Sequence, residues 1–442
     1  MGSVSDSMQS SLSGGMNTGR AQHILERIFR HHEGGLAIRF GDGDPVVVGM
    51  GKPDCELVFN NLAPLRELIL FANPLRLADA YFRGWVDVRG DIYSILKLKD
   101  YLHSLSLTLP EKLSLWLSAL SMDDGGGTTR GTAWRWRKPL TMSRHSKSMN
   151  REAIGFHYDV SNDFYRLWLD EQMVYSCAYF EHAGESLESA QNNKLDLICR
   201  KLRLREGERF LDIGCGWGAL VIWAAKHYGV KAYGVTLSRN QYACALQRIR
   251  DEGLEGQVTV EFRDYRDIEG EGVYDKIASV GMFEHVGLKN LPTYFATVHR
   301  LLKPGGLFLN HGITQDEEGG TRTIGAEFIS RYVFPDGELD LVSNIQKVME
   351  NSAFEIHDVE SLRPHYALTL RHWVGRLRRQ HESALRYVSE QVFRVWQLYM
   401  AGCALQFENG EMGVYQILAA KRQSGFINLP LARHEMCGRT AL

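Results

Sequence analysis

Hydrophobic positions follow two different patterns along this chain. From about residue 208 onward, short apolar runs of strand length alternate with segments of helical period. The runs "RFLDIG", "VKAYGVTL", "VTVEFRD", "YDKIASV", "GLFLNHGIT", "FEIHDVESL" and "GVYQILAAK" predict seven strands. "ALVIWAAKHYG" and "NQYACALQRIRDEG" are two of the helices between them. Strands that alternate with helices build an α/β domain on a mostly parallel sheet. Nearer the N-terminus, "AQHILERIFRHH" has helical spacing, and "GLAIRF", "PVVVGM" and "CELVFN" read as strands. With the mixed stretch that follows them, they predict a small α+β domain over residues 20–120.

Loop-forming residues separate these regions. "SMDDGGGTTRGTAWRWRKPLTMSRHSKSMNR" opens with acids and glycines and predicts a linker over residues 121–150. Residues 1–19 are polar and rich in Ser and Gly, and predict a disordered tail. The remainder, 151–442, is the α/β domain.

Composition narrows the class. The 442 residues are 44% hydrophobic and 24% charged, ordinary for a soluble protein with more than one core. The net charge of -2 argues against wholesale nucleic-acid binding. No apolar run reaches the roughly 18–20 residues that span a bilayer. The seven cysteines form no C-x-x-C pair, which suits a reducing cytoplasm and neither a disulfide framework nor a metal site. One charge feature stands out. From Arg130 to Arg151 there are seven Lys/Arg, no acids, and the indoles Trp134 and Trp136. Such a run suits a membrane interface, where each base adds about 1 kcal/mol near anionic lipid. A solvated basic linker is the competing reading, and no nucleic-acid recognition motif accompanies the run.

The most specific local signal is "LDIGCGWGAL". An apolar strand ends in Asp212, and Gly214, Gly216 and Gly218 precede a helix. Glycines there let the backbone turn tightly and approach a ligand. Asp212 can orient the loop or accept bonds from a cationic ligand. The spacing G-x-G-x-G departs from the dinucleotide G-x-G-x-x-G. The next strand ends in "GVTLSRNQ", with Thr236, Ser238 and Gln241 where a nicotinamide enzyme carries an acid. "RDYRD" then sets Asp264 and Tyr265 to bond and stack an adenine, and "LLKPGG" precedes the fifth strand. Together these favour S-adenosylmethionine over a nicotinamide cofactor.

Polar residues at two further strand ends point to chemistry. "SVGMFEHVG" places Glu284 and His285 after the fourth strand, and "LNHGIT" places His311 at the fifth. Ligands bind at such ends. Each residue alone could be a satisfied buried group. Upstream, "FHYDVSNDFYRLWLDEQMVYSCAYF" is dense in aromatics, which predicts an apolar cap over the sheet. Aromatic faces also attract cations without offering a nucleophile.

These stretches, with "RPHYALTLRHW", resemble the cyclopropane-fatty-acyl-phospholipid synthases over about residues 150–425. The resemblance implies a seven-stranded Rossmann-like methyltransferase sheet with a helical cap, preceded by a small lipid-binding domain. It also implies transfer of a methyl group from S-adenosylmethionine to a cis double bond of a phospholipid acyl chain. Ring closure then releases a proton, which a bound bicarbonate takes up. By motif, the bicarbonate pocket comprises Cys177, Glu284, His311, Ile313 (through its backbone) and Tyr366. The cofactor pocket comprises Tyr175, Ser176, Gly214, Gly216, Thr236, Leu237, Gln241, Tyr265 and Arg266. A cytoplasmic enzyme at the inner face of the membrane, self-associating as a dimer, is the implied setting. A methyl- or methylene-branched product is the alternative outcome of the same cation. Two further readings, a non-catalytic lipid carrier and a small-molecule or RNA methyltransferase, fit the aromatic cap and full set of polar residues poorly. Cys177 sits beside no base in sequence, so it is expected to line a wall and not to attack.

Overall fold

The computed structural model describes residues 18–71, 74–106, 108–122, 161–316 and 338–437. Most of the tail, the basic linker with its two tryptophans, and the first residues of the aromatic segment lie outside the described residues. The chain divides into two compact units, Met1–Arg135 with Ser389–Gly402, and Trp136–Val388 with Cys403–Leu442.

In the first unit, residues 18–28 are helical. Strands β1 (Gly35–Phe40), β2 (Val46–Gly49), β3 (Pro53–Phe59) and β4 (Val86–Gly90) form one sheet in the order β2-β1-β3-β4. The first three are the strands expected from their β-branched runs. β4 is the addition: its "VDVRG" is short, half polar and held by pairing with β3, so its own sequence carries little signal. Ala21, Ile24, Leu25 and Phe29 pack with Leu36, Ile38, Leu57 and Phe59 in the core. Gln397 and Arg394 belong to this unit: the Tyr81 hydroxyl donates to Gln397 Oε1 at 3.1 Å, and Arg394 donates to the Tyr81 carbonyl at 3.0 Å.

The second unit holds all seven expected strands: β5 (Arg209–Ile213), β6 (Lys231–Thr236), β7 (Val258–Phe262), β8 (Tyr274–Val280), β9 (Leu302–Gln315), β10 (Phe354–Ser361) and β11 (Met412–Lys421). Their order is β10-β11-β9-β8-β5-β6-β7. The pairs from β9 to β7 are parallel, and β11 runs antiparallel to both β9 and β10. Central strands are buried on both faces, and so read as continuous apolar runs. Alternate side chains serve opposite layers. Phe210 packs with Leu195, Ile198, Val221 and Ala245 on one face. Leu211 and Ile213 pack with Tyr294, Phe295, Ile345 and Met349 on the other. Helices thus cover both faces, and the carboxyl ends of β5, β6, β8 and β9 converge on one edge. No helix among the described residues is long and apolar enough to cross a membrane.

Candidate active site

One pocket lies at that edge of the second unit, and all nine residues assigned to the cofactor line it: Tyr175, Ser176, Gly214, Gly216, Thr236, Leu237, Gln241, Tyr265 and Arg266. Glycines shape the turn beside it. Gly214 follows β5 with φ +85°, and a Cβ there would meet Met282 Cγ at 2.8 Å. Only glycine allows that turn and that approach together. Gly218 closes the loop as the N-cap of helix Ala219–Tyr228. After β6, the Thr236 hydroxyl donates to Gln241 Oε1 at 2.8 Å, and Ser238 caps helix Arg239–Asp251. All three are buried. After β7, Asp264 is held by the Arg266 guanidinium in a fork of 2.8 and 2.6 Å, with Arg266 over the Tyr265 ring. The acid offered for an adenine amino group is therefore already tied to a cation.

Two charged groups of the lining, Asp212 and Lys194, are buried. Burial raises the Asp212 carboxyl to about 7, against the pull of Lys194. Burial also lowers the Lys194 amine to about 8, opposed by Asp170, Cys177 and Asp212. Lys194 Nζ donates to Ser176 Oγ at 2.9 Å, and Gln191 donates to the Ser176 carbonyl at 2.9 Å. These two side chains fix the segment that carries Tyr175 and Cys177. Sequence reasoning missed both. Their signal was periodic: Gln191 and Lys194 fall on the same buried side of helix Leu187–Lys201 as Leu187, Leu195 and Ile198.

The five residues assigned to the proton-accepting site lie outside the pocket lining. Glu284 and Ile313 are brought together: the Ile313 N–H donates to Glu284 Oε1 at 2.8 Å. Gly312 makes room, since a Cβ there would lie 2.0 Å from Phe283 and 2.9 Å from that oxygen. Glu284 Oε2 is buried and has no hydrogen-bond partner. Burial raises this carboxyl to about 7. His311 is buried on the neighbouring stretch of β9, its carbonyl accepting from Gly281 N–H at 2.8 Å and its Nδ1 lying 3.3 Å from Gln416 Nε2. Burial, with Lys194 and Lys201 nearby, holds His311 well below its usual range, so it is neutral.

Cys177 and Tyr366 form a second pair. The buried thiol approaches the carbonyls of Ala178 at 3.2 Å and Leu362 at 3.7 Å. Leu362 precedes helix Arg363–Arg379, and its carbonyl also accepts from Tyr366 N–H. Burial pushes the Cys177 thiol far up, which keeps it protonated and a poor nucleophile. The thiol bonds to carbonyls and not to Glu284 or His311. The aromatic wall is continuous: Tyr175 lies 5.5 Å from Trp168 and 5.2 Å from Trp373, and Tyr366 lies 6.1 Å from Trp373.

A seven-stranded, mostly parallel sheet with a glycine-built pocket and polar groups at β5–β9 defines an S-adenosylmethionine-dependent methyltransferase. The chain belongs to the mycolic acid cyclopropane synthetase family, whose sequence profile matches residues 145–417. It is 42% identical to a "Probable fatty acid methyltransferase" of Pseudomonas putida, over 82% of this chain and 86% of that one. It is 41% identical to the cyclopropane-fatty-acyl-phospholipid synthase of Escherichia coli K12, over 60% of this chain and 66% of that one. The mycolic acid cyclopropane synthase CmaA1, solved with SAH and CTAB, matches with a TM-score of 0.59 at 35% identity, over 61% of this chain and 98% of that one.

Proposed function

We propose that this enzyme transfers the methyl group of S-adenosylmethionine to the cis double bond of unsaturated phospholipid acyl chains and closes a cyclopropane. The observation that carries the reading is the stretch Gly281–Val286. Met282 and His285 line the cofactor pocket, while Glu284 between them bonds to β9 and keeps a second oxygen unpaired. A proton-handling carboxyl thus stands one residue from the pocket wall.

The pocket residues suit S-adenosylmethionine, and the unpaired Glu284 oxygen supports a bicarbonate beside it. Asp212 has a buried oxygen, Oδ1, without a partner, and Thr236 and Gln241 bring hydroxyl and amide groups suited to S-adenosylmethionine. That molecule supplies an electrophilic methyl on a sulfonium. Tyr175, which lines the pocket with Trp168 and Trp373 packed against it, offers a ring that stabilises positive charge by about 0.5–2 kcal/mol. Cys177, Glu284, His311, Ile313 and Tyr366 would hold bicarbonate, which supplies a base that cannot be methylated irreversibly into the protein. Glu284 Oε2 is the acceptor left for a donor from that ion. His311 and Cys177 would add polar contacts, and the thiol in its protonated form does not compete for the methyl group. Membrane contact, a cytoplasmic setting and a homodimer belong to the same reading.

A second reading is a fatty-acid C-methyltransferase, in which the cation loses a different proton to give a methyl or methylene branch. The Pseudomonas putida relative favours it, since that match extends over most of both chains. Both routes add the same mass to the lipid. Proton NMR of the product from vesicles of a defined cis-unsaturated phospholipid separates them. Upfield cyclopropyl signals are expected. New methyl or exomethylene signals without them would replace the first reading by the second.

A further inference from the structure

The first unit carries an apolar face that its own core leaves uncovered. Helix Leu109–Leu120 buries Leu115 and Ala119 on its inner side. On its outer side Leu109, Leu113, Trp116, Leu117 and Leu120 are 44 to 82% exposed. At about 100° per residue these five fall within a single stripe roughly 100° wide. No charge interrupts it. The helix's one acid, Glu111, lies on the far side and accepts from the Thr108 N–H at 2.9 Å. Bases flank the stripe. Arg27 and Arg20 reach Ser114 Oγ at 2.9 Å and the Ser121 carbonyl at 3.1 Å on one edge, and exposed Lys112 stands on the other.

We infer that this face is where the protein seats itself on an anionic lipid surface, the helix lying in the plane of the interface with Trp116 and the leucines turned into it. Two arguments select this occupant. The rim is basic on both edges, which matches a negatively charged bilayer and not an apolar patch on a second copy. The helix has 12 residues, so its outer face is about 18 Å by 10 Å. Even as accessible surface, five partly exposed side chains make up only part of the roughly 800 Å² per partner that a stable protein interface buries, whereas an amphipathic helix needs no more than its own apolar stripe to enter a bilayer. The inference deepens the lipid-substrate reading above and rests on it.

Flotation of the full-length protein with vesicles containing phosphatidylglycerol, against vesicles of phosphatidylcholine alone, tests it. The wild type is expected to float with the anionic vesicles and to be partly released by salt. Leu113→Glu with Trp116→Glu should lower the bound fraction about tenfold, and Lys112→Glu should weaken binding to anionic vesicles and make what remains less sensitive to salt. Both variants should bind S-adenosylhomocysteine and turn over detergent-dispersed unsaturated phospholipid as the wild type does, which shows that they fold. Unaltered flotation of the double variant would overturn the proposal. So would a dimer that the same substitutions split while vesicle binding persists, since the stripe would then belong to a second copy. Should the wild type methylate no lipid, yet float through this stripe, the docking face stands and the reaction assigned above falls.

Discussion

The cofactor pocket and the Glu284 cluster lie side by side and are built in opposite ways. The pocket is made by consecutive strand ends: the turns after β5, β6 and β7 each supply a short local motif, with glycines where the backbone turns at positive φ. The residues assigned to the proton-accepting site come from distant segments, and among them Glu284 is bonded to the Ile313 N–H. Glu284 follows β8, His311 and Ile313 lie on β9, Cys177 precedes the sheet, and Tyr366 follows β10. The pocket admits no added Cβ at Gly214. A side-chain site can lose its chemistry through one atom. Lys194 belongs to both: it lines the pocket, bonds Ser176, and acts electrostatically on Asp212, Cys177 and His311.

The sharpest separation of the two sites is Glu284→Gln. Turnover should fall by about 10²–10⁴, the usual worth of a positioned proton acceptor, while calorimetric affinity for S-adenosylhomocysteine stays unchanged. Unaltered turnover would remove Glu284 from the chemistry. The pH dependence adds an independent readout. Burial raises this carboxyl from its ordinary 4.5 to about 7, so turnover should climb as pH rises through about 7 and the Gln variant should lack that limb. Stability moves the other way. Between pH 4.5 and 7 the folded state keeps a proton that the unfolded chain has released, so this group lowers stability as pH rises. In the Gln variant that contribution disappears.

Legibility in the sequence follows the same division. The central strands of the larger sheet were readable as buried apolar runs between turn residues, and the edge strands β7 and β10 by apolar positions spaced among polar ones. The pocket was readable because its glycines and hydroxyls sit within a few residues of strand ends. β4 was not readable, because pairing and not composition makes it a strand. Glu284 and His311 were flagged by their places at strand ends, and the resemblance added Cys177, Ile313 and Tyr366. Nothing in "YSCAYF" or "RPHYALTLRHW" states that the Leu362 carbonyl joins Cys177 to Tyr366's helix, since that contact spans 185 residues. Lys194 was hidden for another reason. A lysine on a helix is ordinarily a solvated residue, and only its register with Leu187, Leu195 and Ile198 marks it as interior.

Lys194→Met tests whether the two sites are coupled. The substitution keeps the aliphatic stem, removes the donor to Ser176 and leaves Asp212 without its ammonium. The KM for S-adenosylmethionine should rise about tenfold, in line with loss of a hydrogen bond to a charged group, and kcat should fall less. Above pH 8 the wild type should approach the variant, because burial lowers this amine to about 8 and it sheds its proton there. Between pH 8 and 10.5 the unfolded chain holds the proton more tightly, so this group raises stability as pH rises. A variant with unchanged KM at every pH would show that the pocket is set by its backbone alone.

The smallest effect is expected at the residue that first looks most reactive. Cys177 is buried, its pKa is pushed far up by desolvation, and its thiol is directed at carbonyl oxygens. A covalent nucleophile replaced by alanine would lose all turnover. A wall residue that gives one weak contact to a bound anion should lose no more than about tenfold, equivalent to about 1.4 kcal/mol. Cys177→Ser should do no worse than Cys177→Ala, since a hydroxyl keeps the donor. Neither variant should alter S-adenosylhomocysteine affinity, because Ser176 and Tyr175 are held by Lys194, Gln191 and the aromatic wall and not by the thiol. Abolished turnover in Cys177→Ser, with cofactor binding intact, would place the sulfur in the chemistry and erase the contrast between a pocket that binds and a cluster that only positions and accepts.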